Sequence, residues 1–235
     1  GRDTRKFVSV RVTFRPPPNW RKSLGSEFWI KRSWSSSRGT EHHQESSIKS
    51  TKSQQYLTRF LNRIKFHYIP AIKDRRIFEN LLAEIYRVVA SQQEFLQSLN
   101  TFSGELRDRT AVLSQGIDSH LDLSSVIAPP TDLTELFRSL DFETESRSGD
   151  KFSLTLQRGD GIQVRHLPAI LAFLSDRSPE DYHLWGFEEP ENSLELANSI
   201  LEANAFAGYG AENNKQVFLT SHSPAFFSLD RPGVK

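Results

Sequence analysis

Two residue types are absent from this chain of 235 residues, which contains no cysteine and no methionine. Without cysteine the chain forms no disulfide bridge, binds no metal through thiolate and has no cysteine nucleophile. It also lacks an apolar run of the roughly 20 residues that a membrane-spanning helix needs, and no signal-peptide pattern opens it. We therefore expect a cytoplasmic protein that does not enter the membrane. The missing methionine, including an initiator, predicts that the sequence is either a fragment of a longer protein or one from which some residues are omitted.

The formal net charge of +1 conceals an uneven distribution of charges. Residues 1–76 contain 18 lysines and arginines against 5 aspartates and glutamates, whereas the remainder contains 12 against 24. With Trp20, Trp29 and Trp34 interleaved, the basic first third has the composition of a surface that binds a DNA backbone. The alternative is that these charges lie on the solvated outer faces of strands, and composition does not decide between the two.

Short-range patterns predict a β-rich first part. Residues 6–14 alternate apolar and polar side chains, as a half-buried strand does, and residues 27–34 supply an antiparallel neighbour. Residues 35–55 are polar and rich in serine, which predicts a loop or linker. The pair His42 and His43 falls in this segment. Because no further ligand stands at a suitable spacing, an exposed loop is favoured over a metal site.

Apolar residues at spacings of three and four predict helices in the middle of the chain. One set runs from Phe78 to Val89 and another from Leu99 to Leu113, with a break near Ser91. Core packing explains both sets without a ligand, so we interpret them as a helical hairpin or bundle. Residues 142–157 then predict a β-hairpin, because turn residues stand between two alternating runs.

Three motifs follow in the last third of the chain. The turn RGDG, residues 158–161, opens a helix, and such a turn can direct backbone N–H groups at a phosphate. The apolar strand LWGF, residues 184–187, ends at two adjacent acids, Glu188 and Glu189. A later strand ends at Ser-His-Ser, residues 221–223. Strand, helix and strand in this order predict a parallel α/β sheet.

Each motif also has a plain structural explanation when it is taken alone. RGDG can be a simple turn, and His222 a loop histidine without a role. The acids can begin a helix, because Glu191 and Asn192 stand where N-terminal caps belong. Glu188, Glu189 and Glu191 could also hold two metal ions in a nuclease. The apolar strand before them and the histidine after them fit phosphate chemistry better.

In their order and spacing, the three motifs resemble the second half of an ABC-type ATPase head of the SMC, Rad50, RecF and OLD-like P-loop proteins. This group includes bacterial ATPases of anti-phage systems. The resemblance covers residues Phe152 to Leu229. It implies an α/β fold of the P-loop NTPase class, similar to an ABC ATPase head, with an antiparallel β subdomain and a helical insertion. It also implies ATP and Mg²⁺ as cofactors, bound between the subunits of a dimer or higher oligomer.

By this resemblance, Glu188 holds Mg²⁺ through water, at a position where most relatives have aspartate, and Glu189 polarises the attacking water. Adjacent side chains at a strand end point to opposite sides, so one acid can face the metal while the other reaches the water. His222 corresponds to the switch histidine that contacts the γ-phosphate in relatives. Imidazole suits this place because it donates a hydrogen bond and titrates near neutral pH.

The resemblance also assigns residues that face the second subunit. Gly159, Asp160 and Gly161 match the signature motif, which caps the γ-phosphate of the ATP bound to the other subunit. Gly159 stands where relatives have serine. Ser193 and Glu195 match the D-loop, which contacts the opposite subunit, and Glu195 replaces the usual aspartate.

No phosphate-binding loop of the form GxxxxGK[ST] occurs in the sequence. The resemblance then implies that this loop lies upstream of residue 1 or is supplied elsewhere, and that the chain alone binds ATP poorly. The predicted division is a basic β-rich part with a serine-rich loop over 1–74, the helical insertion over 75–140, and the signature, Walker B, D-loop and switch-histidine part over 141–235.

The expected function is ATP binding and hydrolysis by a head that oligomerises around ATP and Mg²⁺ and drives or gates a DNA-related or anti-phage partner. The alternative is a nucleotide-gated scaffold or sensor that holds a nuclease or toxin effector and hydrolyses little ATP. The departures at Glu188, Gly159 and Glu195 motivate this alternative, because each could slow catalysis. A nuclease domain beyond Lys235 is compatible with either function.

Overall fold

The chain folds into two units, residues 1–65 and 66–235. The computed structural model describes residues 7–35, 41–72, 74–121 and 132–229. An antiparallel sheet in the first unit, and long helices and a sheet with parallel strands in the second, confirm the predicted α/β class with an antiparallel subdomain and inserted helices. No helix within the described ranges is long and apolar enough to cross a lipid bilayer. The division of the chain at 74 and 140 stays a prediction.

The first unit is built on an antiparallel sheet in which β2 (Phe28–Ser35) lies between β1 (Phe7–Phe14) and β3 (Glu41–Ser46). Alternation of apolar and polar residues correctly predicted β1, β2 and their pairing, in which Val8 lies opposite Trp34. Aromatic rings pack together at one end of the sheet, where Phe14 stacks on Phe28 with 5.0 Å between ring centroids. Phe60 meets Phe28 edge-on at 5.8 Å. The elements are β1 (Phe7–Phe14), α1 (Pro18–Leu24), β2 (Phe28–Ser35), β3 (Glu41–Ser46) and α2 (Thr51–Asn62).

The predicted loop over residues 35–55 is wrong in part, because β3 occupies its middle and α2 begins at Thr51. A strand at the edge of a sheet can be polar, since its backbone hydrogen bonds go to the neighbouring strand whatever its side chains are. Here Arg32 of β2 donates through Nε to Gln44 of β3 at 3.0 Å. His43 also lies on β3, exposed to solvent and 3.4 Å from Glu45.

The second unit combines helices with a three-stranded and a two-stranded sheet. The first two helices confirm the predicted helical pair, and Ser91 lies at the break between them. The hairpin of β5 (Glu143–Glu145) and β6 (Lys151–Ser153) confirms the predicted hairpin as far as Ser153. The rest of residues 142–157 is a short helix, which Ser153 caps by accepting a hydrogen bond from the amide of Leu156 through its hydroxyl. The elements are β4 (Ile64–Ile69), which begins at the boundary, α3 (Arg75–Ala90), α4 (Gln93–Leu121), α5 (Thr134–Ser139), β5 (Glu143–Glu145), β6 (Lys151–Ser153), α6 (Leu154–Gln157), α7 (Asp160–Asp176), β7 (Tyr182–Glu188), α8 (Leu196–Gly210), β8 (Lys215–Thr220) and α9 (Pro224–Phe227).

One face of the β4-β7-β8 sheet forms the core of this unit. β7 and β8 are parallel, as predicted, and Glu188 lies opposite Thr220 at their ends. Trp185 and Phe187 of β7 are 0% and 2% exposed. They belong to one buried cluster with residues of α7 and α8, including Leu167, Leu171, Ala203 and Phe206. Burial of these large side chains explains why β7 is rich in apolar residues. The two acids follow where the strand leaves the core.

The opposite face of the same sheet is open to solvent among the described residues. Phe66 and Tyr68 of β4 and Phe218 of β8 are 63%, 52% and 55% exposed. Gly186 of β7 lies between these strands, and a Cβ there would be 3.6 Å from the rings of Phe66 and Tyr68. Parallel sheets are usually covered by helices on both faces, so this exposed apolar surface is unusual.

Glu202 of α8 places a carboxyl group within the core. Its side chain is 7% exposed and lies 3.8 Å from Arg165 of α7. Burial raises the pKa of Glu202 to about 7, although the positive charge of Arg165 acts to lower it. The folded protein therefore binds this proton more tightly than the unfolded chain does.

We expect the free energy of unfolding to decrease as the pH rises from 4.5, the ordinary value for this group, to about 7. The sign follows because the native state binds more protons than the unfolded state in this window. One pKa unit corresponds to about 1.4 kcal/mol, and with screening around the half-exposed Arg165 we expect a loss of about 2 kcal/mol. Glu202→Gln should remove the loss, so urea unfolding curves of variant and wild type coincide near pH 5 and diverge near pH 8.

The exposed acid Glu94 of α4 provides the control, because Glu94→Gln should shift the unfolding curves equally at both pH values. An equal shift for Glu202→Gln at both pH values would contradict the assignment of the buried proton to this residue.

Candidate nucleotide site

The carboxyl ends of β7 and β8 bring the acidic motif and the histidine motif together. Because the two strands are parallel and in register up to Glu188 and Thr220, both following loops begin at the same edge of the sheet. The amide of Glu189 continues the ladder by donating to the carbonyl of Thr220 at 2.8 Å. Residues more than 30 positions apart in sequence thus become neighbours.

Glu189 and His222 form the centre of the candidate site. Glu189 has a positive φ of 43°, a conformation that L-residues rarely adopt and that turns the chain away from the strand. Its Oε1 lies 3.6 Å from Nε2 of His222. The side chains are 41% and 90% exposed, so a ligand can reach both of them.

Glu188 points to the other side of β7, towards the end of β4. Its Oε2 accepts a hydrogen bond from the amide of Ala71 at 3.2 Å. The hydroxyl of Tyr68 also bonds to this carboxylate, and that hydrogen bond, with burial and the negative charge of Glu188, raises the pKa of Tyr68. The two adjacent acids therefore have different surroundings, as alternation at a strand end predicts.

A metal ion at Glu188 would need ligands beyond the described acidic and histidine side chains. Within the described residues, no group of three or more His, Asp or Glu side chains could hold a metal ion. Mg²⁺ is typically bound by one or two carboxylates, with water and substrate phosphates completing the octahedron. A single carboxylate at the open edge of the sheet fits that donor set, and it fits Mg²⁺ together with a nucleotide better than a dedicated metal centre.

The glycine turn lies against the loop that follows β7. Gly161, in the first turn of α7, is so close to Ser193 that a Cβ would lie 2.5 Å from the Ser193 carbonyl oxygen. Ser193 itself has a positive φ of 68°. Gly159 is the N-cap residue of α7, and a Cβ there would have no neighbour within 4 Å. The predicted signature and D-loop segments are therefore in direct backbone contact.

Asp160 and Glu195 lie on the surface beside this contact. Asp160 is exposed in the first turn of α7, where an acid interacts favourably with the helix dipole. Glu195 is the exposed N-cap residue of α8, and its side chain makes no capping hydrogen bond. The helix therefore begins later than the sequence suggested: the expected caps Glu191 and Asn192 belong to a turn in which the amide of Asn192 donates to the carbonyl of Glu189.

Glu191 has a contact set that sequence reasoning missed. Its Oε1 accepts hydrogen bonds from the Ser221 hydroxyl at 2.6 Å and from the amides of His222 and Ser223 at 2.8 and 3.1 Å. Burial acts to raise the pKa of Glu191, but these hydrogen bonds outweigh it and lower the pKa below its ordinary value. The sequence signal for this contact is the predicted pairing of β7 with β8. This pairing brings the acid in the loop after β7 next to the two serines in the loop after β8.

No family model matches the chain, and no curated protein matches it. Solved structures provide the likeness. The chain is similar to SMC head domains. An SMC head bound to the C-winged helix domain of ScpA is 13% identical, with a TM-score of 0.49, and the match covers 97% of this chain and 72% of that chain.

Two further heads have comparable values. The SMC head domain from Thermotoga maritima is 14% identical with a TM-score of 0.41, and the match covers 93% of this chain and 65% of that chain. An Smc head with an extended coiled coil, bound to the C-terminal domain of ScpA derived from Pyrococcus furiosus, is 11% identical with a TM-score of 0.48, over 95% and 72%. Values of this size do not assign a function, which depends on the side chains of the site.

Proposed function

We propose that the chain is part of an ABC-type ATPase head that binds ATP and Mg²⁺ between two copies and hydrolyses ATP with water. The observation that carries this proposal is the pair of Glu189 and His222, 3.6 Å apart at the carboxyl edge of parallel strands. Ligands of open α/β sheets bind at this edge. A carboxylate and an imidazole placed there can act on a water molecule and on a phosphate group.

In this proposal each side chain has a separate task. Glu189 accepts the proton of a water molecule whose oxygen attacks the γ-phosphorus, and ADP is the leaving group. His222 donates a hydrogen bond to a γ-phosphate oxygen. Glu188 would hold Mg²⁺, and the ion would supply neutralisation of phosphate charge.

The second copy meets the surface around the start of α7. Gly159, Asp160, Ser193 and Glu195 are exposed, and Gly161 lies between them against Ser193. We propose that the amides at the N-terminus of α7 contact the γ-phosphate of ATP bound to the other copy, because such amides and the helix dipole favour anions. Ser193 and Glu195 would then contact the other copy directly.

The phosphate-binding loop is proposed to come from a segment that covers the open sheet face. Phe66, Tyr68 and Phe218 form an apolar surface that parallel sheets normally bury under a helix. A helix packed over these rings would bury them.

A nucleotide-gated scaffold or sensor is the second candidate, and residues of this site favour it. Glu188, Gly159 and Glu195 stand where the resembling proteins have aspartate, serine and aspartate, and each change could slow hydrolysis without preventing binding. In that case ATP would hold a nuclease or toxin effector until a phage or DNA signal arrives. The nuclease alternative for this chain loses support, because Glu191 uses Oε1 to hold three donors of the 221–223 loop.

ATP turnover by the full-length protein tests these proposals. We expect Mg²⁺-dependent turnover, and stimulation by double-stranded DNA that disappears steeply as salt rises if the basic residues of 1–76 bind DNA. ATP binding without turnover, alone or with DNA, would favour the scaffold. Absence of nucleotide binding would contradict both candidates, and absence of DNA binding at low salt would contradict the DNA contact.

A further inference from the structure

The loop that carries His222 is held by a side chain of the neighbouring loop. Glu191 follows Pro190, which is fully buried, so the backbone that presents its carboxylate is anchored in the core. Its acceptor atom Oε1 binds donors from three consecutive residues, Ser221, His222 and Ser223. The two loops are 30 residues apart in sequence at their nearest hydrogen-bonded pair.

A charged acceptor strengthens this contact. The lowered pKa keeps Glu191 ionised at neutral pH, and an ionised carboxylate is an acceptor with no donor to repel the amides. Hydrogen bonds to an ionised group are roughly twice as strong as neutral ones. The Ser221 hydroxyl has a second task, because it accepts from the amide of Ser223 at 3.0 Å while it donates to Glu191. The contact therefore fixes the backbone on both sides of His222.

The imidazole itself has little support from packing. The side chain of His222 is 90% exposed, and its ring lies 3.6 Å from the carboxylate of Glu189. An exposed side chain on a loop samples several rotamers, so its position relative to Glu189 depends on where the backbone places its Cα and Cβ. That backbone is the one that Glu191 binds through the His222 amide.

We propose that Glu191 is a positioning residue, which holds the 221–223 loop so that His222 stays beside Glu189. Its effect on catalysis rests on the proposed function, whereas its effect on the loop does not. Glu191 acts through the backbone, because its hydrogen bond to His222 is made to the backbone amide. The loops after β7 and β8 then move as one body, and a change at one is transmitted to the other.

Amide hydrogen exchange in the protein without nucleotide tests the contact directly. We expect Glu191→Ala to accelerate exchange at the His222 amide about tenfold or more, because this amide loses its acceptor. The acceleration at the Ser223 amide should be smaller, because it keeps the Ser221 hydroxyl as a second acceptor. Glu191→Gln keeps an acceptor oxygen without the charge, so its acceleration should be smaller. Glu195→Gln, which removes an acid of the same loop region without a capping hydrogen bond, should leave these two amides unchanged.

The outcomes separate positioning from general stability. Acceleration confined to the 221–223 loop, with α7 amides unchanged, supports the proposal. Unchanged exchange at His222 and Ser223 in a folded Glu191→Ala protein overturns it, and so does an equal acceleration at all amides in both Glu191→Ala and Glu191→Gln.

Turnover by the full-length protein tests the catalytic consequence separately. We expect Glu191→Ala to lower kcat more than it raises KM for ATP, with partial recovery in Glu191→Gln, because the loop regains an acceptor. Unchanged kcat in Glu191→Ala, in a protein that hydrolyses ATP, would overturn the role of Glu191 in catalysis. If the wild type hydrolyses no ATP, the proposed function fails, and the exchange experiment still decides whether Glu191 holds the loop.

Discussion

Replacement of Glu189 by glutamine in the full-length protein is expected to lower ATP turnover about 10²- to 10⁴-fold, the range that a positioned general base contributes. Glutamine has nearly the same shape, but its amide cannot accept the proton of the attacking water. ATP binding should persist, since the proposed contacts to the phosphates come from other groups. A variant that binds ATP without hydrolysing it should also retain the associated form, so two copies should accumulate as a dimer in size-exclusion chromatography with ATP and Mg²⁺.

Two further variants serve as comparisons for the Glu189 experiment. Glu94→Gln removes an exposed acid of α4 outside the site and should leave turnover unaltered. Glu188→Gln should raise the Mg²⁺ concentration that turnover requires, because Glu188 is the proposed ligand of the ion and its carboxylate lies on the other side of β7 from Glu189. Unaltered turnover in Glu189→Gln would remove the assignment of this residue as the base, and loss of ATP binding would indicate a structural role instead.

Local patterns predicted the elements that position the site. Burial alternates from residue to residue along β7, because Trp185 and Phe187 face the core. A buried strand followed by acids can be recognised from a few adjacent residues. The parallel arrangement of β7 and β8 follows from the helix between them, since crossover connections of this length join parallel strands. Together these two inferences predict that Glu189 and His222 lie at the same edge of one sheet.

Contacts between distant segments were not accessible in the same way. β3 is polar and has no apolar period, so only its pairing with β2 defines it as a strand. The local sequence predicts that Glu191 caps a helix, because acids are common at helix starts, whereas the hydrogen-bond partners of Glu191 lie in another loop. The approach of Gly161 to Ser193 depends on how α7 packs beside the loop after β7, and a glycine in a turn gives no indication of what lies opposite it.

Gly161→Ala is expected to destabilise the folded protein by about 3 kcal/mol, towards the upper end of the cost of overpacking. The added Cβ would lie 2.5 Å from the Ser193 carbonyl oxygen, a backbone atom that cannot move without shifting the turn around it. For a domain of this size, a loss of 1 kcal/mol lowers Tm by roughly 2–4 °C, so a decrease of about 6–12 °C should be measurable by calorimetry.

Gly159→Ala is the matched control for this steric argument. Gly159 lies two residues earlier at the same helix start, its φ of −68° suits any L-residue, and a Cβ there meets nothing within 4 Å. We expect Tm of this variant to change by only a degree or two, since the poorer capping by alanine is offset by the smaller conformational entropy that alanine gives the unfolded chain. Equal losses in both variants would mean that helix initiation, rather than contact with Ser193, sets the requirement for glycine. A loss of stability in Gly161→Ala alone would instead show that the backbone contact between the two segments proposed to face the second copy stabilises both of them. In the full-length protein, the same variant should then weaken ATP-dependent dimerisation even at temperatures where it remains folded.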